Sequence, residues 1–310
     1  MKVLVMGTGG VGGYFGGLLA RAGNEVKFIA RGSHLSAIKA NGLTIESVVE
    51  PTFTLNIDAS AAPPLDYTAD LIMFCVKNYH TKESAELIRP AVGECTTILP
   101  LQNGVDSADI LSAFFGAERV IGGLAYIEVS VSAPGVISQR GGARKVIFGE
   151  LNNGSPERCE IFLNNFREAG IVVEHSTLIK QALWSKLIFI SAFAGLNTIT
   201  GLAAGQLRES PLARDVLKSA ISESILVGNA EGAGLPQEAL ENTLNTLDSF
   251  PEHGLTSMYR DRLAGNRLES SELVGSIVRR GEIHGIKTPT MHFIESLISP
   301  MADGNAKPNL

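Results

Sequence analysis

The chain has few of the residues that would tie it to a metal, an oxidising compartment or a polyanion. Its 310 residues include three cysteines, Cys75, Cys95 and Cys159. An odd number without metal-ligand spacing suggests neither a disulfide framework nor a zinc site, and a reducing cytoplasm fits. There is no run of Lys or Arg and the net charge is −6. That balance argues against nucleic acid or an anionic membrane surface as partner, while a small anion would need only a local site. The histidines His34, His80, His175, His253, His284 and His292 are scattered without pairing, and as a set they read as surface or satisfied core residues. Met1-Lys2-Val3 leads straight into a strand with no charged leader, apolar stretch and cleavage site, so export is not expected. Repeats and low-complexity tracts are missing too, and only the tail from Ala302 to Leu310 is expected to fray.

What the chain does have is alternation, in a length that suits two domains. Lys2 to Met6 reads as a short apolar strand, Gly10 to Ala22 as a helix ending at Gly23, and Glu25 to Ala30 as a second strand, together the size of one βαβ crossover. Ser33 is placed to cap a helix from His34 to Lys39. A strand from Asp70 to Val76, a helix from Thr81 to Ala91, a strand from Thr97 to Leu101 and a helix from Asp106 to Phe115 follow. This pattern implies an α/β fold, a Rossmann-type doubly wound parallel sheet with helices on both faces. Val120 to Gly149, rich in Val, Ile and Gly with a turn at Pro134-Gly135, reads as antiparallel hairpins completing the sheet edge. A helix from Ser155 to Ala169 and a strand from Ile171 to Glu174 close the domain, taken as residues 1–175. From Thr177 onward there is no strand signal, so residues 176–310 are expected to form an all-helical domain carrying substrate and catalysis. Its apolar helices leave surface for a homodimer.

Gly7-Thr8-Gly9-Gly10-Val11-Gly12 is a G-x-G-x-x-G that follows a strand and opens a helix. The glycines serve a tight turn, close approach of backbone to pyrophosphate, and close packing of helix on strand, and the helix N-terminus receives the phosphates. The second strand ends at Arg31, where an NAD-binding chain usually places an acid for the ribose 2′-hydroxyl. A cation there suits a 2′-phosphate, so NADP (NADPH) is the expected cofactor, and Gly32-Ser33-His34 offer further donors.

Lys186 is the only charge between Lys180 and Arg208. It lies in a segment apolar enough to be a buried helix, and burial penalises an ammonium unless it is paired or used. A snorkelling lysine is the bland alternative. Desolvation lowers a lysine pKa toward neutrality, which is what a proton donor working near pH 7 requires. The uncharged stretch from Leu187 to Ala204 reaches the length of a membrane span, but Ser191, Asn197, Thr198, Thr200, Gly195 and Gly201 make a core helix the better reading.

These features, with Cys75-Val76-Lys77, Leu101-Gln102-Asn103-Gly104, Leu183-Trp184-Ser185-Lys186-Leu187, and Thr256-Ser257-Met258 followed by Glu269, resemble the ketopantoate reductase (2-dehydropantoate 2-reductase) family along most of the chain. The resemblance implies NADPH-dependent reduction of a 2-oxo acid, a small molecule, to a 2-hydroxy acid. In that family Lys186 would protonate the carbonyl oxygen, Lys77 and Asn103 would lie on the cofactor side with Asn103 also reaching substrate, and Ser257 would bind the substrate carboxylate. Glu269 would organise cofactor, lysine and substrate; taken alone it is a plain surface acid.

The chain departs from the family at the fourth and eighth positions after the lysine, where two substrate-binding asparagines are replaced by Ile190 and Ala194. With Phe193 these would line a more apolar pocket, suited to a 2-oxo acid with a hydrocarbon or aromatic side chain. Asn197 lies about 16 Å along the helix from Lys186 at 1.5 Å per residue and does not replace them. A sensor that binds NADPH without catalysis is the competing reading, motivated by the same losses; retention of Lys186, Ser257 and Glu269 speaks against it.

Overall fold

The computed structural model describes residues 1–151 and 156–304. The start of the expected fifth helix at Ser155 and most of the tail expected to fray lie outside them. The chain divides into two compact units, one of residues 1–102 and 107–179, the other of residues 103–106 and 180–310.

The first unit begins β1 (Lys2–Met6), α1 (Gly10–Arg21), β2 (Glu25–Ile29), α2 (Gly32–Asn41) and three short strands, β3 (Leu43–Ser47), β4 (Phe53–Leu55) and β5 (Asp58–Ser60). It continues with β6 (Leu71–Phe74), α3 (Thr81–Ile88), β7 (Thr97–Pro100), α4 (Asp106–Phe115), β8 (Ile121–Ala133), β9 (Val136–Glu150), α5 (Pro156–Glu168) and β10 (Val172–His175). A parallel sheet has the order β5-β2-β1-β6-β7. Along β1, Val3 and Val5 enter one apolar cluster and Leu4 and Met6 another. Both faces are therefore covered, as a parallel sheet requires. The order reverses at β1, which pairs with β2 on one side and β6 on the other, and ligands of doubly wound sheets bind at such a switch point.

Two expectations need correction. The hairpin after Val120 does not complete the parallel sheet's edge. A bridge between Ile98 and Val120 touches that edge, but β8 and β9 are 13 and 15 residues long, far beyond the four-residue β7. They build a second sheet instead, in which β9 pairs antiparallel with β8 and parallel with β3 and β10. Nor does Ser33 cap α2. That helix starts at Gly32 with Arg31 at its N-cap position and no side-chain cap.

The second sheet explains why α1 carries more glycine than its motif needs. A side chain on Gly16 would lie 2.6 Å from Val5 of the parallel sheet, and one on Gly13 would lie 2.8 Å from Ile137 of the second sheet. The helix is pressed between two sheets, and glycine is what lets both approach.

The second unit is helical throughout its described residues: α6 (Ile179–Thr200), α7 (Ala204–Glu209), α8 (Pro211–Ala230), α9 (Ala239–Ser249), α10 (Ser257–Ala264), α11 (Ser270–Ile283) and α12 (Pro289–Ile298). Among the described residues α6 is the one helix long and apolar enough to cross a membrane, and 67% of its apolar window is buried inside the protein. It behaves as a core helix: Trp184, Leu187, Ile188 and Phe193 are enclosed, and a side chain on Gly195 would sit 2.6 Å from Ile294 of α12.

Candidate active site

The first unit's candidate cofactor loop is made largely of backbone. Gly7 has φ +98, a left-handed value that only glycine adopts freely. A side chain on Gly12 would collide with the Gly7 carbonyl oxygen and approach Val5 to 2.9 Å. Gly9 is different, because nothing lies within 4 Å of where its side chain would be. Internal packing does not demand glycine there, and the bare face it leaves is the cradle that a pyrophosphate approaching the backbone needs. Beyond it, α1 begins at Gly10 without a side-chain cap or an acidic residue in its first turn, a helix start whose N–H groups and positive dipole end suit an anion.

Thr8 is held at both ends. Its Oγ1 and backbone N–H both donate to the Ile29 carbonyl, each at 3.0 Å. Its carbonyl accepts from His34 Nε2 at 2.7 Å, while His34 Nδ1 accepts from the Gly135 N–H at 3.0 Å. That pattern fixes the neutral tautomer with the proton on Nε2, and burial lowers the His34 pKa accordingly. His34 is thus no phosphate donor, contrary to expectation, because both ring nitrogens are used to lock the loop to the β8–β9 turn.

Arg31 is exposed at the end of β2, and its guanidinium reaches His80 Nε2 at 2.6 Å. A guanidinium only donates, so His80 accepts there and turns Nδ1–H toward Glu83 Oε2 at 3.3 Å. Lys77, partly buried, precedes the short 3-10 turn Asn78–His80 that follows β6. The histidine pattern alone gave no sign of the Arg31–His80 pair; only the parallel pairing of β1 with β2 and β6 brings the two strand ends together.

In the second unit Lys186 keeps part of its surface exposed, yet the protein crowded around its ammonium lowers its pKa from 10.5 to about 8. One turn further along, Phe189 and Phe193 pack with Phe250 at ring-centroid distances of 5.3 to 5.8 Å. Ile190 is half-buried and Ala194 is 3% exposed. The face of α6 beside the lysine is therefore apolar and aromatic.

Ser257 is the first residue of α10, exposed at a helix start that lacks acidic residues in its first turn. Such a terminus suits a carboxylate. Its placement depends on Asn197, which sequence reasoning set aside. The Asn197 side-chain oxygen accepts from the Thr256 N–H at 2.9 Å and the Thr256 hydroxyl at 2.7 Å, tying the end of α6 to the residue before Ser257.

Glu269 occupies the N-cap position of α11 and is 7% exposed, so it is not a surface acid. One turn on, burial and the Glu269 charge raise the pKa of Glu272, whose Oε2 is buried without a hydrogen-bond partner. Asn103, half-buried, belongs to this same unit.

The family model described as ketopantoate reductase PanE/ApbA matches residues 3–153, and that of its C-terminal domain matches residues 178–302. The chain belongs to the ketopantoate reductase family. Among its relatives, an uncharacterised oxidoreductase, YkpB of Bacillus subtilis, is 29% identical over 95% of this chain and 96% of its own length. A 2-dehydropantoate 2-reductase of Halobacterium salinarum is 28% identical over 96% and 98%. The crystal structure of a PanE/ApbA family ketopantoate reductase from Ralstonia eutropha superposes with TM-score 0.89 at 33% identity, covering 97% of this chain and 98% of that one. This member of the ketopantoate reductase family is an oxidoreductase acting on a CH–OH group with a nicotinamide cofactor.

Proposed function

We infer that the protein reduces a 2-oxo acid to its 2-hydroxy acid with NADPH in the cytoplasm, with 2-dehydropantoate the first candidate substrate and pantothenate biosynthesis its pathway. The observation that carries this reading is Lys186, an ammonium brought by burial to a pKa of about 8, on a helix otherwise free of charge between Lys180 and Arg208. At pH 7 it is mostly protonated and still able to release its proton, the balance a general acid needs. When bound, the nicotinamide supplies the hydride for the 2-oxo carbon.

The chain's own residues do the rest. Lys186 gives its proton to the carbonyl oxygen, which becomes the hydroxyl. Ser257, at the start of α10, holds the substrate carboxylate. Glu269 and Asn103 orient the reacting end of the substrate and the cofactor. Gly7, Thr8, Gly9, Gly10, Val11 and Gly12 receive the pyrophosphate, Lys77 adds a cation at the end of β6, and Arg31, steadied by His80, takes the 2′-phosphate that separates NADPH from NADH.

A second reading concerns the substrate alone. Ile190 and Ala194 carry no amide, and Phe189, Phe193 and Phe250 form an aromatic wall beside the lysine, so an apolar or aromatic 2-oxo acid fits this face better than a hydroxylated one. The test is NADPH oxidation followed by absorbance, with 2-dehydropantoate beside aliphatic and aromatic 2-oxo acids and with NADH as control. Preference for 2-dehydropantoate supports the first reading and preference for an aromatic acid the second. No turnover with any of them would contradict both.

A further inference from the structure

Asn103 to Asp106 pack with the helices of the second unit although the residues on either side belong to the first. One face of α11 holds them. Glu269, Glu272, Ser276, Arg279 and Arg280 recur at the spacing that aligns side chains along one side of a helix. Gly104 lies at the first of these turns, since a side chain on it would stand 3.1 Å from the Glu272 carbonyl oxygen. Two residues on, Asp106 is gripped. Its Oδ1 accepts from Ser276 Oγ at 2.7 Å and from Arg280 Nη2 and Nε at 2.8 and 3.1 Å, and its Oδ2 accepts from Arg279 Nη2 at 2.9 Å. The segment therefore runs in the same direction as the helix, from Gly104 beside an early turn to Asp106 beside the later ones. Asn103 precedes Gly104 by one Cα step of about 3.8 Å, on the side of the segment that leads toward the start of α11, where Glu269 stands.

Arg280 is itself fixed from several sides. Its side chain is 15% exposed, against 17% for Asp106. Its Nη1 donates to Glu231 Oε2 at 2.7 Å, and the other oxygen of Glu231 meets His284 Nε2 at 2.9 Å. The guanidinium carbon is 6.0 Å from the ring centroid of Trp184, two residues before Lys186 on α6. A planar fork bound to two carboxylates and facing an aromatic ring has little freedom left. An aspartate at the first position of α4 is also ordinary helix chemistry, but that role asks for no arginine.

We propose that Asp106 is a positioning residue: held by Arg280, Arg279 and Ser276, it registers Asn103 against the helices that carry Glu269 and Lys186 without itself touching substrate or cofactor. The consequence for turnover rests on the reductase reading; the clamp does not.

A double-mutant cycle tests the first and amide hydrogen exchange the second. Asp106→Asn should lower kcat/KM for the 2-oxo acid by about tenfold in the unaltered chain and by no more than about twofold in an Asn103→Ala background, because both act through one side chain. Equal losses in the two backgrounds, or none in the first, would overturn the positioning role. Arg280→Lys, which keeps the charge and loses the fork, should reproduce the effect. Exchange at Gly104 and Val105 should quicken in Asp106→Asn while α6 stays protected, and unchanged exchange there would overturn the clamp even in a protein without turnover. If Asp106→Asn does not fold, Ser276→Ala removes one of the hydrogen bonds and serves the same two measurements.

Discussion

The first unit's candidate residues present backbone, whereas those of the second present side chains carried by three helices and by the segment from Asn103 to Asp106. Gly9 and the uncapped start of α1 offer N–H groups whose positions follow from the strand-turn-helix path. Lys186, Ser257 and Glu269 come from α6, α10 and the edge of α11, and other residues must hold them in register: Asn197 through Thr256, and Arg280 through Asp106. On the proposed reading, a cofactor common to many enzymes would be met by a surface that needs little beyond glycine. A substrate would be met by side chains that can be exchanged one at a time, and there the departures Ile190 and Ala194 fall.

The sharpest way to break this comparison is to remove the proposed proton donor, Lys186. Lys186→Met should cut turnover by about 10² to 10⁴ while NADPH affinity holds. It should also stabilise the fold at neutral pH. The Lys186 pKa is lowered on folding, from 10.5 to about 8, so the cost of burying the charge is fully present below about pH 8. It fades as pH rises toward 10.5, and at most it is on the order of 3 kcal/mol. Thermal unfolding of both proteins at pH 7 and pH 10 checks this: the variant should be the more stable at pH 7 and lose that lead by pH 10.

Arg31→Glu should raise the KM for NADPH by about ten- to a hundredfold and leave that for NADH nearly unchanged; equal effects on both cofactors would remove Arg31 from the 2′-phosphate. The glycines separate two kinds of backbone demand. Gly9→Ala meets open space and should keep the melting temperature while weakening cofactor binding by about tenfold. Gly12→Ala meets the Gly7 carbonyl and should lower both. The smallest effect is expected from Ile190→Asn, a few-fold shift of kcat/KM toward hydroxylated 2-oxo acids measured against aromatic ones, since one amide restores only half of what the helix lacks.

The same contrast governs what the sequence made legible. The parallel core was readable because strand, glycine loop and helix follow one another within about 30 residues, the span of one βαβ unit. β4 and β5 were not, since three residues each carry too little periodicity to rise above turn. The long hairpin was visible as a hairpin, but its sheet was not, because partner choice depends on strand length and on β3 and β10 far away in the chain. Glycine in α1 was legible only in part: Gly13 and Gly16 are explained by two sheets closing on one helix. Lys186 stood out by its isolation, whereas Ser257 and Glu269 gained weight only through family resemblance. His80, Asn197 and Arg280 gave no signal, because each acts on a residue between 49 and 174 positions away.

The proposed role of Lys186 as the general acid of a nicotinamide-dependent 2-oxo acid reductase is tested most directly by the pH dependence of kcat/KM for reduction, measured in the protein and in Lys186→Ala. The rate should hold below about pH 8 and fall above it as the ammonium loses its proton, with that dependence and most of the turnover gone in the variant. Full turnover in Lys186→Ala, or an unaltered fall near pH 8 without the lysine, would contradict it.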